Sequence, residues 1–405
     1  MPSATAYDRM PALSLSPGQD RLDPLPPTPL FAMAALVHGA FSSPTPDQVG
    51  WPECVVGGLL ALAVWAGVTT GPRTHFRFEA PVSARWQTIL IANGMGLGLL
   101  PFVVGVLRGC GSVDIIRDLI PLGFLTIPIL CWGRIDTRVL LPCVALAGGL
   151  MAARQIGLQG NPMQWGRQAE DLLYLSNSPL VLFAAIYGLA SGLRSVIVRP
   201  TGLGIVLLLA GTAGWIALAL TLQRGAVVLG GLSVGLCILA LWRDHPARMG
   251  LILTLAALLT LNAAPHFGSE WLRGLVEKTA TVGTNSRTAE LAIAWQVASR
   301  DPLTLLFGLG WGGLIELPST PGMAVSFLHA LPTYLLVKTG LVGVGVAIAG
   351  VVPFLATLCR GQRSPIILFA LVATLTVHTL VLPGFKSLGA ALLLLALTPS
   401  RHQTD

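Results

Sequence analysis

Two arginines and one histidine stand where this chain could do chemistry. Arg224 lies in "TLQRGAVV", a short turn between two apolar runs. The next run opens at Gly225, so the unpaired N–H groups and positive dipole end of a helix start adjoin the guanidinium. That combination suits an anion, above all a phosphate. The same arginine can instead snorkel to the interface or pair with a carboxylate. Arg287 lies in "TNSRTAELAIAWQVASRDPL". Asn285 or Ser286 can cap a helix there, and Asp301-Pro302 ends it. A cation in the first turn of a helix opposes the dipole and calls for an anionic partner. Glu290, one turn on, can supply it locally; a bound phosphate is the other choice. His329 lies in "SFLHALPTYLLVKTGLVG", three residues before Pro332, which fits the first turn of a helix. A neutral imidazole there can accept a proton, or it can simply cap the helix.

Membrane helices must position these residues. The chain has 405 residues, 53% hydrophobic and 11% charged, against about 25% charged in a soluble globular protein. Its mean hydropathy is +0.74. A spanning helix needs about 20 mostly apolar residues, and such runs recur along the chain. They are continuous rather than alternating, which selects helices over a barrel. Apolar segments fall near 29–42, 54–70, 86–107, 115–132, 139–157, 172–190 and 202–222. Others fall near 226–242, 250–264, 333–358, 366–382 and 388–398, giving an all-α, polytopic chain of about twelve spans. Leu291, Trp295 and Ala298 recur at helical spacing and predict a face that lies on the membrane or on other helices. Residues 1–28, polar and proline-rich, read as a disordered tail without the pattern of a cleaved signal peptide. Residues 399–405 read as a second tail.

The positive-inside rule orients the spans. Alternate short loops hold eleven arginines, among them Arg134, Arg138, Arg194, Arg199, Arg243 and Arg248. The other short loops hold four basic residues: Arg108, Arg167, Arg224 and Lys386. The first set is cytoplasmic. With the first segment spanning, both tails are cytoplasmic too. The long segment 265–331 then faces outward, and Arg224, Arg287 and His329 share that face. The formal charge of +7 therefore reports membrane orientation rather than nucleic-acid binding.

Several chemistries find no support. The six cysteines are scattered without a CxxC and read as small core residues. Cys54 and Cys110 can both lie on the outer side. The chain has no HExxH and no acidic pair of metal type. "FGLGWGG", 307–313, permits tight turns or close backbone approach but is neither a Walker loop nor a dinucleotide fingerprint. His378 lies in an apolar run and reads as a packed residue, and His266 has no comparable neighbours.

Three stretches in order, "QRGAVV", "SRTAELAIAWQVASRDPLTLLFGLGWG" and "LHALPTYLLVKTGLVG", resemble the O-antigen ligase superfamily of bacterial inner membranes. The resemblance covers roughly 221–345 in motif and the whole chain in topology. Gln223 stands where the family often has Ser, and Ala330 stands where it usually has Asn. The resemblance implies transfer of a glycan from an undecaprenyl-pyrophosphate donor to an acceptor hydroxyl at the periplasmic face, with no metal or nucleotide cofactor. It implies Arg224 and Arg287 as ligands of the pyrophosphate leaving group and His329 as the base that deprotonates the acceptor. A single displacement of this kind inverts the anomeric centre. The first expectation is an O-antigen ligase with lipid A–core as acceptor. An O-antigen polymerase and a protein O-oligosaccharyltransferase share the donor chemistry. A secondary transporter would need repeated halves and ionisable residues near the bilayer midplane. Asp114, Arg117 and Asp118 are the main exceptions to the one-sided distribution, and they can pair at the outer end of their helix.

Overall fold

The computed structural model describes residues 27–42, 50–70, 82–131, 134–158, 173–282, 287–316, 324–326, 328–361, 364–380 and 388–396. Within these, the side chains of 70, 82–93, 173–174, 351–361 and several residues between 255 and 287, Arg287 among them, fall outside the description. The first half contains α1 (Pro27–Phe41), α2 (Trp51–Thr70), α3 (Val82–Leu107), α4 (Ser112–Leu130), α5 (Thr137–Leu158) and α6 (Leu173–Ser176). Next come α7 (Pro179–Phe183), a π-turn (Ala184–Gly188), α8 (Leu189–Val198), α9 (Gly202–Leu220) and α10 (Arg224–Asp244). The remainder holds α11 (Pro246–Val282), α12 (Arg287–Ala298), α13 (Pro302–Phe307), α14 (Leu331–Gly361), α15 (Pro365–Leu380) and α16 (Leu388–Ala396). Two short antiparallel strands, β1 (Ile315–Glu316) and β2 (Ala324–Val325), pair between α13 and α14.

Among the described residues six helical runs are long and apolar enough to cross a bilayer: α2, α5, the continuous run Pro179–Val198, α9, α10 and Leu331–Gly350 of α14. Apolar stretches in α1, α3, α11 and α15 are shorter. Two runs depart by more than a turn from those read in the sequence, and the first also ends later, at Val198 rather than 190. The run expected at 172–190 begins at Pro179, because the Ser178 hydroxyl accepts from Leu180 N and caps a new helix. The run expected to end at 264 does not end there. α11 continues past Pro265 to Val282, and its 37 residues extend about 55 Å, well beyond an apolar core of about 30 Å. The segment 265–331 therefore begins as a helix.

Arginines and capping hydroxyls define one end of the bundle. Arg134 donates to the Gly67 and Leu130 carbonyls and so caps the ends of α2 and α4. Arg248 donates to the Ile197 carbonyl at the end of α8. Cations suit these positions because helix C-termini carry partial negative charge and unpaired carbonyls. Because α4 ends beside Arg134, its start at Ser112 lies at the other end. α9 likewise leaves the Arg199 turn and delivers Thr221, Leu222 and Gln223 to that other end.

The larger core joins α1, α5, α7, α9, α15 and α16 around residues such as Phe31, Leu140, Val144, Leu180, Phe183 and Leu218. Small residues let the backbones close on each other. A Cβ on Gly149 would stand 2.4 Å from the Ala210 methyl of α9. Where lipid offers no hydrophobic drive for helix association, such close approach is the main source of attraction. A smaller core gathers Ile115, Ala294, Val297, Trp311, Leu328, Tyr334 and Val337 from α4, α12, α14, the segment before β1 and the segment between β2 and α14.

Candidate active site

α14 starts at Leu331 with Pro332 in its first turn, and Tyr334 N donates to Ala330 O at 3.0 Å. His329 thus lies just ahead of the helix N-terminus, as the position of Pro332 predicts. Leu328, buried in the smaller core, anchors the segment. The His329 ring is 39% exposed, while the Glu290 carboxylate is 3% exposed. Both oxygens of that carboxylate serve His329. Oε1 lies 2.5 Å from Nδ1, and Oε2 accepts from the His329 backbone N at 3.2 Å. An ionised carboxylate can only accept, so Nδ1 is the protonated ring atom in this pair, and proton exchange with a substrate would run through Nε2. A buried carboxylate behind an imidazole orients it and stabilises the imidazolium that forms when Nε2 takes a proton.

Glu290 reaches His329 because α12 turns that side toward the start of α14. Glu290, Ala294, Val297 and Ala298 are buried. Leu291 and Trp295 are 55% and 56% exposed, which fits the membrane-facing alternative, while Ala298 packs inward. The buried stripe contains a carboxylate, which a purely apolar count along the helix passes over.

A second polar group holds the helix that carries His329. Asp118 of α4 accepts from Tyr334 Oη at 2.8 Å, from Lys338 Nζ at 2.5 Å and from Gly312 N at 2.9 Å. Lys338 Nζ also donates to Gly313 O at 2.6 Å. Both side chains of the ion pair are at most 2% exposed, so every charge here is paired and hydrogen-bonded, as burial requires. The segment 307–313 completes the frame. α14 leaves helical geometry at Gly340, and the Val337 and Lys338 carbonyls accept from Leu309 N and Gly310 N at 2.8 and 2.9 Å. Gly310 has φ +82°, and a Cβ on it would stand 2.2 Å from Gly105 N of α3. Close backbone approach is therefore the role of this glycine-rich segment. Trp311 locks it, with Nε1 donating to Leu97 O at 3.0 Å.

Arg224 is the first residue of α10 and half-buried. Its Nη1 donates to Thr279 Oγ1 near the end of α11 at 3.1 Å. The turn before it is fixed from two sides. Leu222 is buried with φ +52°, a conformation costing a bulky residue roughly 1–2 kcal/mol. Gln223 Nε2 donates to Ser176 Oγ and Asn177 Oδ1 at 2.8 and 2.9 Å. Arg287 opens α12 one turn before Glu290, but its side chain lies outside the described residues, as do Asn285 and Ser286. Thus His329 is joined directly to α12, and Arg224 to the helix that leads into α12.

Other polar residues shape the same end. Arg117 pairs with Asp114 at 2.6 Å, as their spacing suggests, and reaches Ser326 at 3.3 Å. Asp118 does not join them, being committed to Lys338. Asp301 both follows α12 and caps α13, accepting from Thr304 N and Oγ1 at 2.8 and 2.6 Å. The Thr304 hydroxyl first, then its N–H, hold the Asp301 carboxyl below the usual carboxylate range, and nearby Arg108 adds to the effect. Arg108 itself donates to Thr304 Oγ1 at 2.8 Å. Cys54 and Cys110 are both free thiols. Among the described residues no three His, Cys, Asp or Glu side chains gather as a metal site.

The sequence reading missed the Glu290–His329 pairing and the Lys338–Asp118 pair. The second had a signal: two opposite charges in apolar runs are expected to find each other. The first had none, because Glu290 and His329 are 39 residues apart. No protein-family model, curated protein or solved structure matches this chain.

Proposed function

We propose that this protein is an O-antigen ligase: a multi-pass glycosyltransferase of the bacterial inner membrane with about twelve spans and its active site facing the periplasm. The Glu290–His329 pair carries this reading. A carboxylate-backed imidazole, half-exposed at a helix N-terminus, is a general base waiting for a hydroxyl. In the proposed reaction the acceptor sugar hydroxyl of lipid A–core attacks the anomeric carbon of the donor. The new C–O bond forms as the bond from that carbon to the pyrophosphate oxygen breaks. The hydroxyl proton passes to His329 Nε2, and Glu290 stabilises the imidazolium. Undecaprenyl pyrophosphate departs with the bonding electrons, and Arg224 and Arg287 neutralise the charge that develops on it. Attack from the face opposite the leaving group inverts the anomeric centre.

The test is reconstitution. Purified protein, undecaprenyl-pyrophosphate glycan and lipid A–core are mixed in the presence of a chelator, and products are resolved on a gel. Transfer of the glycan to the core is expected. A strict requirement for a divalent cation would overturn the two-arginine account of the leaving group. Deleting the gene should leave bare core and accumulate lipid-linked polymer; core bearing one repeat unit would point to polymerisation instead.

A further inference from the structure

At the end of the bundle opposite Arg224, a cleft of about 420 Å³ opens between α8 and the start of α15. α9 separates the two places by about 28 Å, the length of its 19 residues. Arg194 and Arg199 are exposed on the cleft's rim, and Ser191, Ser195 and Ser364 line it with hydroxyls. Other arginines at this end are committed to helix carbonyls: Arg134 to Gly67 and Leu130, Arg248 to Ile197. Arg194 and Arg199 share with Arg138 and Arg243 the lack of an ion-pair partner among the described residues, and what sets them apart is that both line the cleft. Ser364 stands at the start of α15, where its carbonyl accepts from Leu368 N at 3.1 Å. Pro365 has no N–H, so the unpaired N–H groups at this helix start are those of Ile366 and Ile367, both residues that line the cleft. Val198 and Ile367 add an apolar lip, with Val198 50% exposed.

Ser195 Oγ is engaged by the Arg199 carbonyl and Thr201 Oγ1, and Ser191 by Tyr187, so two guanidiniums, the Ser364 hydroxyl and a helix N-terminus around one cavity are the donors that match an anion with several acceptor oxygens. We propose that this cleft binds a net-anionic phosphate group, carried by a phospholipid headgroup or as free phosphate. The cations and the N-terminus meet the phosphate oxygens. The apolar lip lies where the glycerol and upper acyl chain of a lipid would continue. Anionic headgroups are attracted to basic residues at a membrane surface, so the rim arginines would also concentrate such lipids there.

The full-length protein is placed in nanodiscs of phosphatidylcholine with or without phosphatidylglycerol, and retained lipid is counted by native mass spectrometry. A second arm titrates inorganic phosphate into phosphatidylcholine nanodiscs and follows thermal stability. Each arm compares wild type, Arg194→Gln/Arg199→Gln, and a control, Arg138→Gln/Arg243→Gln, that removes equal charge away from the cleft. Affinity for the anion should fall about tenfold in the cleft variant and less than about twofold in the control. That result with phosphatidylglycerol supports the site with a lipid occupant, and with phosphate alone supports it with a soluble one. Equal losses in both variants, or no anion binding by wild type, would overturn the proposal.

Discussion

At Gly149 on α5 the close neighbour is the Ala210 methyl of α9; at Lys338 on α14 it is the Asp118 carboxylate of α4. Both places are buried within helices, yet they are held together differently. The α5–α9 contact depends on shape, with backbones brought together by missing side chains. The α4–α14 contact depends on charge, with an ion pair, a phenol, a backbone N–H and a carbonyl closing on one another. Shape-held regions lose stability when a group is added. Charge-held regions lose it when a partner is removed, because a charge is then left buried alone. The second kind of frame is also directional. It fixes the start of α14, and with it the ring of His329, against α4 and the segment 307–313.

Substitutions can break or sharpen this contrast. The largest effect belongs to Lys338→Met, which strands Asp118 and should cost about 3–5 kcal/mol in detergent unfolding. Adding Asp118→Leu should recover much of that loss; a double variant no better than the single would show that the pair is not the unit. Glu290→Gln keeps the size of the side chain but removes the charge behind the imidazole. Transfer should slow about 100-fold while the unfolding midpoint hardly moves. In the shape-held region, Gly149→Val should cost about 1–3 kcal/mol through overpacking, with transfer per folded molecule unchanged. Pairing it with Ala210→Gly should restore part of the stability, which no change in charge would do.

The smallest effect concerns acid. The folded Asp301 carboxyl is held below its ordinary range, so the folded chain binds fewer protons than the unfolded chain as pH falls through that range. Its support for α13 is present above the ordinary carboxylate range and is lost as pH drops through the lowered folded value. Protection at 303–307, taken relative to the intrinsic exchange rate at each pH, should therefore fall on acidification in wild type and depend less on pH in Asp301→Asn.

Much of this architecture is legible in the sequence. The ends of α2, α9, α10 and α16 fall close to the limits of their apolar runs, because burial in lipid imposes a length that composition reveals. The place of His329 ahead of a helix follows from Pro332 alone. What is not legible depends on side chains meeting across distance. Which side of α12 meets the start of α14 is set by their packing, so Glu290 looks in sequence like a neighbour of Arg287 rather than the support of His329. The start of α7 turns on a single hydroxyl, Ser178, inside an apolar stretch. The continuation of α11 through Pro265 escapes a hydropathy reading, since the helix persists after its apolar stretch ends.

The measurement closest to the central claim is the rate of glycan transfer by His329→Ala in the chelator-treated reconstitution, beside wild type matched for unfolding midpoint. If the Glu290–His329 pair is the base, the rate falls by about 100-fold or more with the fold intact. Full transfer activity in His329→Ala would contradict the account.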